Sequence, residues 1–256
     1  MDEYYNYYLS ESNLLANLIP IVSKCPIKSI SKNNNEFGLM IEKMLNISSN
    51  ELPVADYNGI ELKCRKNNSL YSLKLFTSNF ESDNLYELEY IFNKLSTRYN
   101  SKRTFYHSFF ANKYSYINSK VLSKLEIDYK NKKINLCFFD NDKNVINSSC
   151  FWSFDLIKRR INIKLNHLCI ICYKTIYRSS GKYYQIENIN FYSIKDFDTF
   201  IQLINDGIIF ISSSISTEEK KNGETGIHNH GIGFCIDFNN IQKLFNQNRS
   251  ITLKKI

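Results

Sequence analysis

The residue types best suited to chemistry lie in the segment DYNGIELK, which carries two carboxylates and a lysine. Glu61 and Lys63 share one face of a predicted strand, because alternate residues of a strand point to the same side. A bend at Asn58-Gly59 can bring the carboxylate of Asp56 alongside that of Glu61. Adjacent carboxylates repel each other unless a cation lies between them, and Mg²⁺ is a hard cation that prefers oxygen ligands.

Such a group favours metal-dependent hydrolysis of a phosphodiester. The metal would stabilise the charge that develops on the phosphate during in-line attack, while Lys63 would orient or deprotonate the attacking water. The acidic-x-Lys pattern alone is weak, since Asp128, Glu218 and Glu219 also precede a lysine by two positions. A further acid, Glu42, adjoins the apolar stripe of an upstream helix. It can point toward the carboxylate pair or be an ordinary exposed carboxylate.

The elements around these residues alternate between helical and strand patterns, which favours an α/β or α+β protein. Apolar residues recur at helical spacing over 37–45, and residues 60–76 read as a hairpin of two strands. The other predicted helices cover 1–20, 84–96, 151–166 and 193–207, the last ending at Gly207; the other predicted strands cover 104–110, 120–129, 133–139, 168–177 and 208–215. A soft boundary near 150 divides the chain into residues 1–150 and residues 151–256.

Composition excludes several classes of protein. The chain has 256 residues, 43% of them hydrophobic, so it can bury one sizeable core. No apolar run approaches the length of a membrane span, and the N-terminus lacks the features of a secretory signal, so we expect a cytoplasmic protein. Of the seven cysteines, Cys169 and Cys172 form the only CxxC; without a second pair they are better explained as buried, reduced residues of a strand.

The net charge of +8 suggests a polyanionic partner, although a solvated basic surface explains the charge nearly as well. The basic residues at 158, 159, 160 and 164 lie on one predicted helix, where a solvated face is favoured over contact with a DNA backbone. His107, in an apolar and aromatic stretch, is best explained as a hydrogen-bonded core or edge histidine.

Two regions of the chain resemble the MvaI/BcnI restriction endonucleases and, more distantly, the mismatch-repair nicking enzyme MutH. The first region, roughly 33–77, carries a shared pattern of motifs. These are Gly38 with Glu42, then Asp56, then Gly59-Ile60-Glu61-Leu62-Lys63, then Leu75-Phe76-Thr77. The second region, roughly 150–250, contains FDTFIQLINDGIIFISSSI and HNHGIGFCIDFNNIQKLF, with an H-x-H-G-type loop. The order and spacing of several motifs carry the resemblance.

The resemblance implies a PD-(D/E)XK restriction-endonuclease-like core, with a mixed sheet flanked by helices and two lobes around a DNA cleft. Residues 1–150 would form the catalytic lobe and residues 151–256 the DNA-recognition lobe. It further implies Mg²⁺-dependent cleavage of double-stranded DNA at a short sequence by a monomer, with a cognate methyltransferase as functional partner. Carried over to this sequence, Asp56 and Glu61 would bind the metal, Lys63 would position the water, and Glu42 would be an accessory acid.

The polar, glycine-rich stretch 217–233 is predicted to be a loop that contacts DNA. His228, Asn229 and His230 are interpreted as base or phosphate contacts, in preference to a plain surface loop or a zinc site, and Lys220 and Lys221 as phosphate contacts. The family often has an arginine after H-G-x-x-F, where this chain has Cys235. Since arginine can bind guanine with two hydrogen bonds, we expect a target unlike the C/G-rich sites of the namesake enzymes.

Three functions are compatible with these patterns. The first is a type II restriction endonuclease of the MvaI/BcnI kind. The second is a MutH-like endonuclease that nicks one strand and acts with repair partners. The third is a DNA-binding module without catalysis, in which the acidic cluster is structural. The intact set of Asp56, Glu61 and Lys63 disfavours the third, and the products of plasmid cleavage separate the first two.

Overall fold

The fold is seen in a computed structural model that describes residues 2–31, 35–47, 54–82, 95–99, 102–219 and 225–253. The chain forms two compact units, each built from separate stretches of sequence. Unit 1 comprises Met1–Tyr71, Ile161–Lys195 and Phe245–Ile256. Unit 2 comprises Ser72–Arg160 and Asp196–Leu244. Helices and strands occur in both, so the predicted mixed α and β class is confirmed.

The helices are α1 (Asp2–Ser23), α2 (Glu36–Met44), α3 (Phe154–Lys164), α4 (Phe197–Asn205) and α5 (Ile241–Leu244), with a 3₁₀ turn at Phe238–Asn240. The strands of the first half are β1 (Ile27–Lys28), β2 (Ile60–Lys66), β3 (Leu73–Thr77), β4 (Thr97–Tyr99), β5 (Lys102–Phe109), β6 (Ser115–Tyr116), β7 (Leu122–Asp128) and β8 (Lys133–Phe139). The remaining strands are β9 (Val145–Ser153), β10 (His167–Arg178), β11 (Gly181–Ile194), β12 (Ile209–Glu219), β13 (Thr225–Ile236) and β14 (Phe245–Thr252).

Unit 1 is built on a mixed sheet of order β1-β11-β10-β2, with β14 also paired to β11. Strand β2 runs parallel to β10, and the other pairs are antiparallel. Helices α1 and α2 cover one face of the sheet, because Leu14, Leu18 and Ile41 pack in one apolar cluster with Ile60 and other strand residues. The cluster anchors β2, the edge strand that carries the candidate chemistry, through Ile60 and Leu62.

Unit 2 contains a sheet of order β3-β13-β12-β5-β4 and a separate sheet of order β6-β7-β8-β9. Trp152 is fully buried in this unit, where its ring lies against Phe80 and Phe234. Helix α4 ends as predicted: the chain turns at Gly207, whose φ of 71° is left-handed and suits glycine.

The predicted hairpin over residues 60–76 is wrong. Strand β2 pairs with β10, whereas β3 pairs with β13 in the sheet of unit 2. In the stretch between them, the carbonyls of Ser69 and Tyr71 accept hydrogen bonds from the guanidinium of Arg65 on β2, at 2.6 and 2.7 Å. The predicted helix over 84–96 lies largely outside the described residues.

The sequence predicts a single boundary near residue 150, whereas each compact unit of the structure combines stretches from both sides of that position. Residues 161–195 join unit 1 because β10, within that range, must lie beside β2 to form the parallel pair. The catalytic and recognition roles given to the two parts stay a prediction. Within the described residues, no helix is both long and apolar enough to cross a membrane.

Candidate active site

A tight turn positions Asp56 over the start of β2. Asn58 and Gly59 both have positive φ, 44° and 84°, as the central residues of a type I′ turn require. The turn is closed by two backbone hydrogen bonds between Tyr57 and Ile60, at 2.9 and 2.8 Å. Asparagine tolerates this conformation and glycine adopts it freely. The predicted bend at this position is confirmed.

The turn folds the carboxylate of Asp56 back onto the strand. Its Oδ2 accepts a hydrogen bond from the backbone N–H of Leu62 at 2.9 Å. This donor is available because β2 lies at the edge of its sheet, where one side of the strand has no neighbouring strand among the described residues. The carboxylate is therefore held in place by the same strand that carries Glu61 and Lys63.

Glu61 is nearly buried and lies between two lysines. Its Oε1 is 2.8 Å from Nζ of Lys63, and its Oε2 is 3.2 Å from Nζ of Lys164. The side chain of Glu61 is 6% exposed, and those of the lysines are 19% and 21% exposed. A buried carboxylate is tolerated only when it is paired and hydrogen-bonded, and here each oxygen has its own ammonium.

Glu42, on α2, belongs to the same cluster. Burial raises the pKa of its carboxyl, and the negative charges of Asp56 and Glu61 raise it further, while Lys63 and Lys164 oppose them. Helix α2 buries Phe37, Met40 and Ile41 in the core, which sets the rotation of the helix about its axis. Glu42 is therefore partly buried and interacts electrostatically with the carboxylate pair, unlike an ordinary exposed carboxylate; its accessory role remains a prediction.

Lys164 is the member of this cluster that the sequence did not indicate. The sequence places it with Lys158, Arg159 and Arg160 on a predicted solvated helix face; Lys158 and Arg159 are exposed, whereas Arg160 is partly buried. Lys164 instead ends α3 next to β10 and reaches a carboxylate 103 positions away in sequence. No local spacing connects the two residues, so only the pairing of β2 with β10 could have revealed the contact.

The donor set fits a hard divalent cation. Among the described residues, no three His, Cys, Asp or Glu side chains are arranged around one point that could hold a metal ion. Mg²⁺, however, keeps several waters and substrate phosphate oxygens, and one or two carboxylates suffice to bind it. Asp56 and Glu61 supply such oxygens, although Glu61 would have to exchange an ammonium for the ion.

The predicted DNA contacts fall in unit 2, and one prediction about them needs correction. Residues 225–236 are strand β13 and 209–219 are strand β12, so most of the predicted loop is a pair of strands. The backbone of His228 pairs with Ser216 and that of Asn229 with Ile215; His230 follows on the same strand. Apolar residues alternate along β12 before the polar stretch and along β13 after it, and both strands continue into the polar stretch. Lys220 and Lys221 lie outside the described residues.

Position 235 does not support the argument about the target sequence. Cys235 is buried, with 3% of its surface exposed, between Phe234 and Ile236, which are fully buried. Its Sγ faces the carbonyl of Gly233 at 3.6 Å. A side chain enclosed in this way does not face a DNA groove, so the cysteine gives no physical reason to expect a different target.

Two other interpretations of side chains are confirmed by their placement. Cys169 and Cys172 are buried on β10 as free thiols. His107 is half-buried on β5 of unit 2, with Nε2 3.0 Å from Oγ of Ser123, and burial lowers its pKa. None of these residues belongs to the carboxylate cluster.

Comparison with known proteins identifies the class. A D…E-x-K group at the edge of a mixed sheet, beneath a helix with a further carboxylate, is the arrangement of PD-(D/E)XK nucleases. The model of the MvaI/BcnI restriction endonuclease family matches residues 15–245. The chain belongs to that family and is a type II restriction endonuclease, which cleaves DNA at specific sites. Enzymes of this kind generally use divalent metal ions.

Solved structures agree with the family in fold. The complex of restriction endonuclease MvaI with its cognate DNA substrate superimposes with a TM-score of 0.81 at 21% identity, covering 94% of this chain and 97% of that chain. MvaI in the absence of DNA gives a TM-score of 0.58 at 17% identity over the same fractions. No curated protein gives a significant sequence match.

Proposed function

We propose that this endonuclease hydrolyses double-stranded DNA with Mg²⁺ bound by Asp56 and Glu61. The observation that supports this most is the cluster of Glu42, Asp56 and Glu61 beside two lysines at one edge of the unit 1 sheet. Three carboxylates placed together raise each other's energy, and a divalent cation relieves that repulsion. The bound ion would act as a Lewis acid on the phosphate.

The side chains around the ion have distinct roles in this proposal. Asp56 is oriented by the N–H of Leu62, so its carboxylate does not have to be ordered when substrate binds. Lys63, whose Nζ is 2.8 Å from Oε1 of Glu61, is placed to orient the attacking water or to accept its proton. Glu42 supports the electrostatics of the site as an accessory acid.

Recognition of the target is assigned to unit 2 and the catalytic role to unit 1. The solved MvaI structure that superimposes over 94% of this chain is a complex with cognate DNA, which supports duplex DNA as the partner. His228, Asn229 and His230 on β13 are proposed to contact bases or phosphates, and Lys220 and Lys221 to contact phosphates. The positive balance of +8 supports such contacts.

We further propose that a monomer cuts the two strands in successive events and that a cognate methyltransferase protects the host DNA. Family membership favours cleavage of both strands over the MutH-like nicking reaction. The test is a time course on supercoiled plasmid of known sequence with Mg²⁺. Open circles should appear first and linear DNA second, with 5′-phosphate ends at one short sequence. Accumulation of open circles without linear product would indicate a nicking enzyme.

Two controls accompany this time course. Ca²⁺ in place of Mg²⁺ should support binding without cutting, because the larger ion holds its ligands in a looser geometry. Binding should weaken as salt rises, with a log–log slope of about −0.9 per phosphate contacted. A flat response to salt would mean that the positive charge is ordinary surface charge.

A further inference from the structure

Lys164 forms an ion pair with the proposed metal ligand Glu61 from outside the motif that contains it. Its Nζ is 3.2 Å from Oε2 of Glu61, while Lys63 occupies Oε1 at 2.8 Å. Both residues of the Lys164 pair belong to unit 1. The glutamate side chain is 6% exposed and the Lys164 side chain 21% exposed, so this is not a flexible pair at the surface.

A divalent ion that binds Oε2 of Glu61 would compete for that oxygen with the ammonium of Lys164, which lies 3.2 Å from it. Mg²⁺ binds carboxylate oxygens at about 2.0–2.1 Å, and an ammonium next to it would be repelled. Both lysines carry their charge on a flexible four-carbon stem. Lys164, the last residue of α3, makes the longer of the two contacts with Glu61, 3.2 Å against 2.8 Å for Lys63, so it is the partner that we expect to move away.

An ammonium that loses its carboxylate in a half-buried place needs another anion, since unpaired charge is costly there. Bound DNA brings such an anion to the site, namely the phosphate that is cleaved. We propose that Lys164 is a second active-site lysine that exchanges partners, binding Glu61 in the metal-free protein and the DNA phosphate once a divalent ion has taken Glu61. This rests on the proposed function of Asp56 and Glu61 as metal ligands.

The test compares Lys164→Met with Lys158→Met, a matched change six residues earlier on the same helix. Lys158 is exposed, so both variants lose one positive charge and only one loses the contact with Glu61. Two quantities are measured on the full-length protein. The first is the affinity for Mg²⁺ alone, by calorimetry without DNA. The second is the single-turnover rate of plasmid cleavage at saturating Mg²⁺, with thermal unfolding as the check on folding.

Lys164→Met should bind Mg²⁺ at least about fivefold more tightly than Lys158→Met, because a competing cation has been removed. It should also cleave DNA at least about tenfold more slowly, because a donor to the phosphate has been lost. Lys164→Arg should recover most of the cleavage rate, since it keeps the charge. Lys164→Gln, which is polar and uncharged, replaces the methionine variant if the latter unfolds.

Either of two results would overturn the exchange. Equal Mg²⁺ affinities in the Lys164 and Lys158 variants would show that Lys164 does not compete with the ion. Equal cleavage rates in the same two variants would show that Lys164 does not bind the DNA phosphate during cleavage. Failure of the metal site itself is distinguishable, because the wild-type protein would then bind no Mg²⁺ at all, whereas failure of the Lys164 proposal leaves wild-type binding intact.

Discussion

Unit 1 and unit 2 hold their buried polar groups in different ways. In unit 1, carboxylates that are nearly inaccessible to solvent pair with cations: Glu61 lies between two lysines, and Glu11 lies 3.0 Å from Arg249. In unit 2, by contrast, the indole of the buried Trp152 donates to the carbonyl of Ser78 at 3.2 Å, and Nε2 of His107 lies 3.0 Å from Oγ of Ser123. Both contacts are between neutral groups. Buried charge is costly unless it is compensated, and the buried charged side chains of the described residues, Glu11, Glu36 and Glu61, lie in unit 1.

The proposed catalytic role of unit 1 and the proposed recognition role of unit 2 predict different effects of substitution. A cluster of charges can bind a metal ion and stabilise a reacting phosphate, whereas sequence is read by hydrogen bonds from side chains to base edges. Substitutions in the charged cluster should therefore act on the rate at every target sequence. Substitutions on β13 of unit 2 should act mainly on the choice of sequence. The predictions below test that separation, beginning with the largest effect.

The largest effect is expected for Asp56→Asn and Lys63→Ala. Asparagine keeps an oxygen that accepts from the N–H of Leu62, so the turn should persist while the charge is lost. Cleavage should fall by about 10³-fold, the range found when one stabilising group of an active site is removed, with DNA binding retained. The measurement is the single-turnover rate of each variant on plasmid. Glu187→Ala is the matched control, since it removes a carboxylate of unit 1 that pairs with Lys174 outside the cluster.

A smaller effect, limited to the cognate site, is expected for His228→Ala and His230→Ala. Each good base contact contributes about 1–3 kcal/mol of discrimination, and about 1.4 kcal/mol corresponds to a factor of ten in rate. Cleavage at the cognate site should therefore slow by roughly one to two orders of magnitude. Nonspecific binding should change much less, because it depends on phosphate contacts. Normal cleavage by the double variant would move recognition elsewhere in the chain.

Glu42→Gln should be milder than the change at Asp56, with a loss of about tenfold or less in the cleavage rate at saturating Mg²⁺. The reason is that Glu42 acts on the site through its charge and is proposed as an accessory acid rather than as a metal ligand. The measurement compares the cleavage rates of Glu42→Gln and Asp56→Asn under the same conditions. A loss at Glu42 equal to that at Asp56 would instead make it a third ligand.

Glu36→Gln should leave cleavage unchanged and lower stability. Burial raises the pKa of Glu36, but hydrogen bonds from Ser29 and Tyr184 and from the backbone of Ser31 and Ile30 outweigh it and hold the pKa at about 2. The folded state therefore binds fewer protons than the unfolded state. The stabilisation is complete above pH 4.5, the ordinary pKa, and is lost as pH falls toward 2.

Chemical denaturation at a series of pH values measures this effect. At pH 7 the variant should be less stable by about 2 kcal/mol, the value of hydrogen bonds to a charged group. The difference in unfolding free energy between the variant and the wild-type protein should become smaller below pH 4.5. A gap that is constant between pH 7 and pH 3 would contradict a role for the ionised carboxylate. Glu36 and Glu42 lie on the same helix. Comparing their variants therefore distinguishes a carboxylate that stabilises the fold from one that is proposed to assist cleavage.

The parts of the site that could be predicted from sequence are those fixed by local geometry. The bend at Asn58-Gly59 and the alternation of Glu61 and Lys63 need only neighbouring residues. The helix that carries Glu42 follows from its apolar periodicity. Contacts made through the sheet were not predictable in this way. Lys164 reaches Glu61 only because β2 pairs with β10, and the supposed hairpin partner of β2 belongs to another sheet.

The same limit explains the errors in unit 2. A polar, glycine-rich stretch has the composition of a loop, yet residues 225–236 pair as a strand with β12 and, in part, with β3. The backbone N–H and C=O groups of a strand form hydrogen bonds with the neighbouring strands, whatever the polarity of its side chains. Cys235 was interpreted from its position in a motif, whereas its burial between two apolar residues is a property of the fold.

The central claim is that Glu61 is a metal ligand for cleavage of DNA by unit 1. Its most direct test is the single-turnover rate of Glu61→Gln against the wild-type protein, on a plasmid whose cleavage site has been mapped, with Mg²⁺ at saturation. Glutamine keeps the shape of the side chain and removes its charge. We predict a rate at least about 10³-fold lower, with DNA binding retained and the variant still folded. A folded Glu61→Gln enzyme that cuts the same site within about tenfold of the wild-type rate would contradict it.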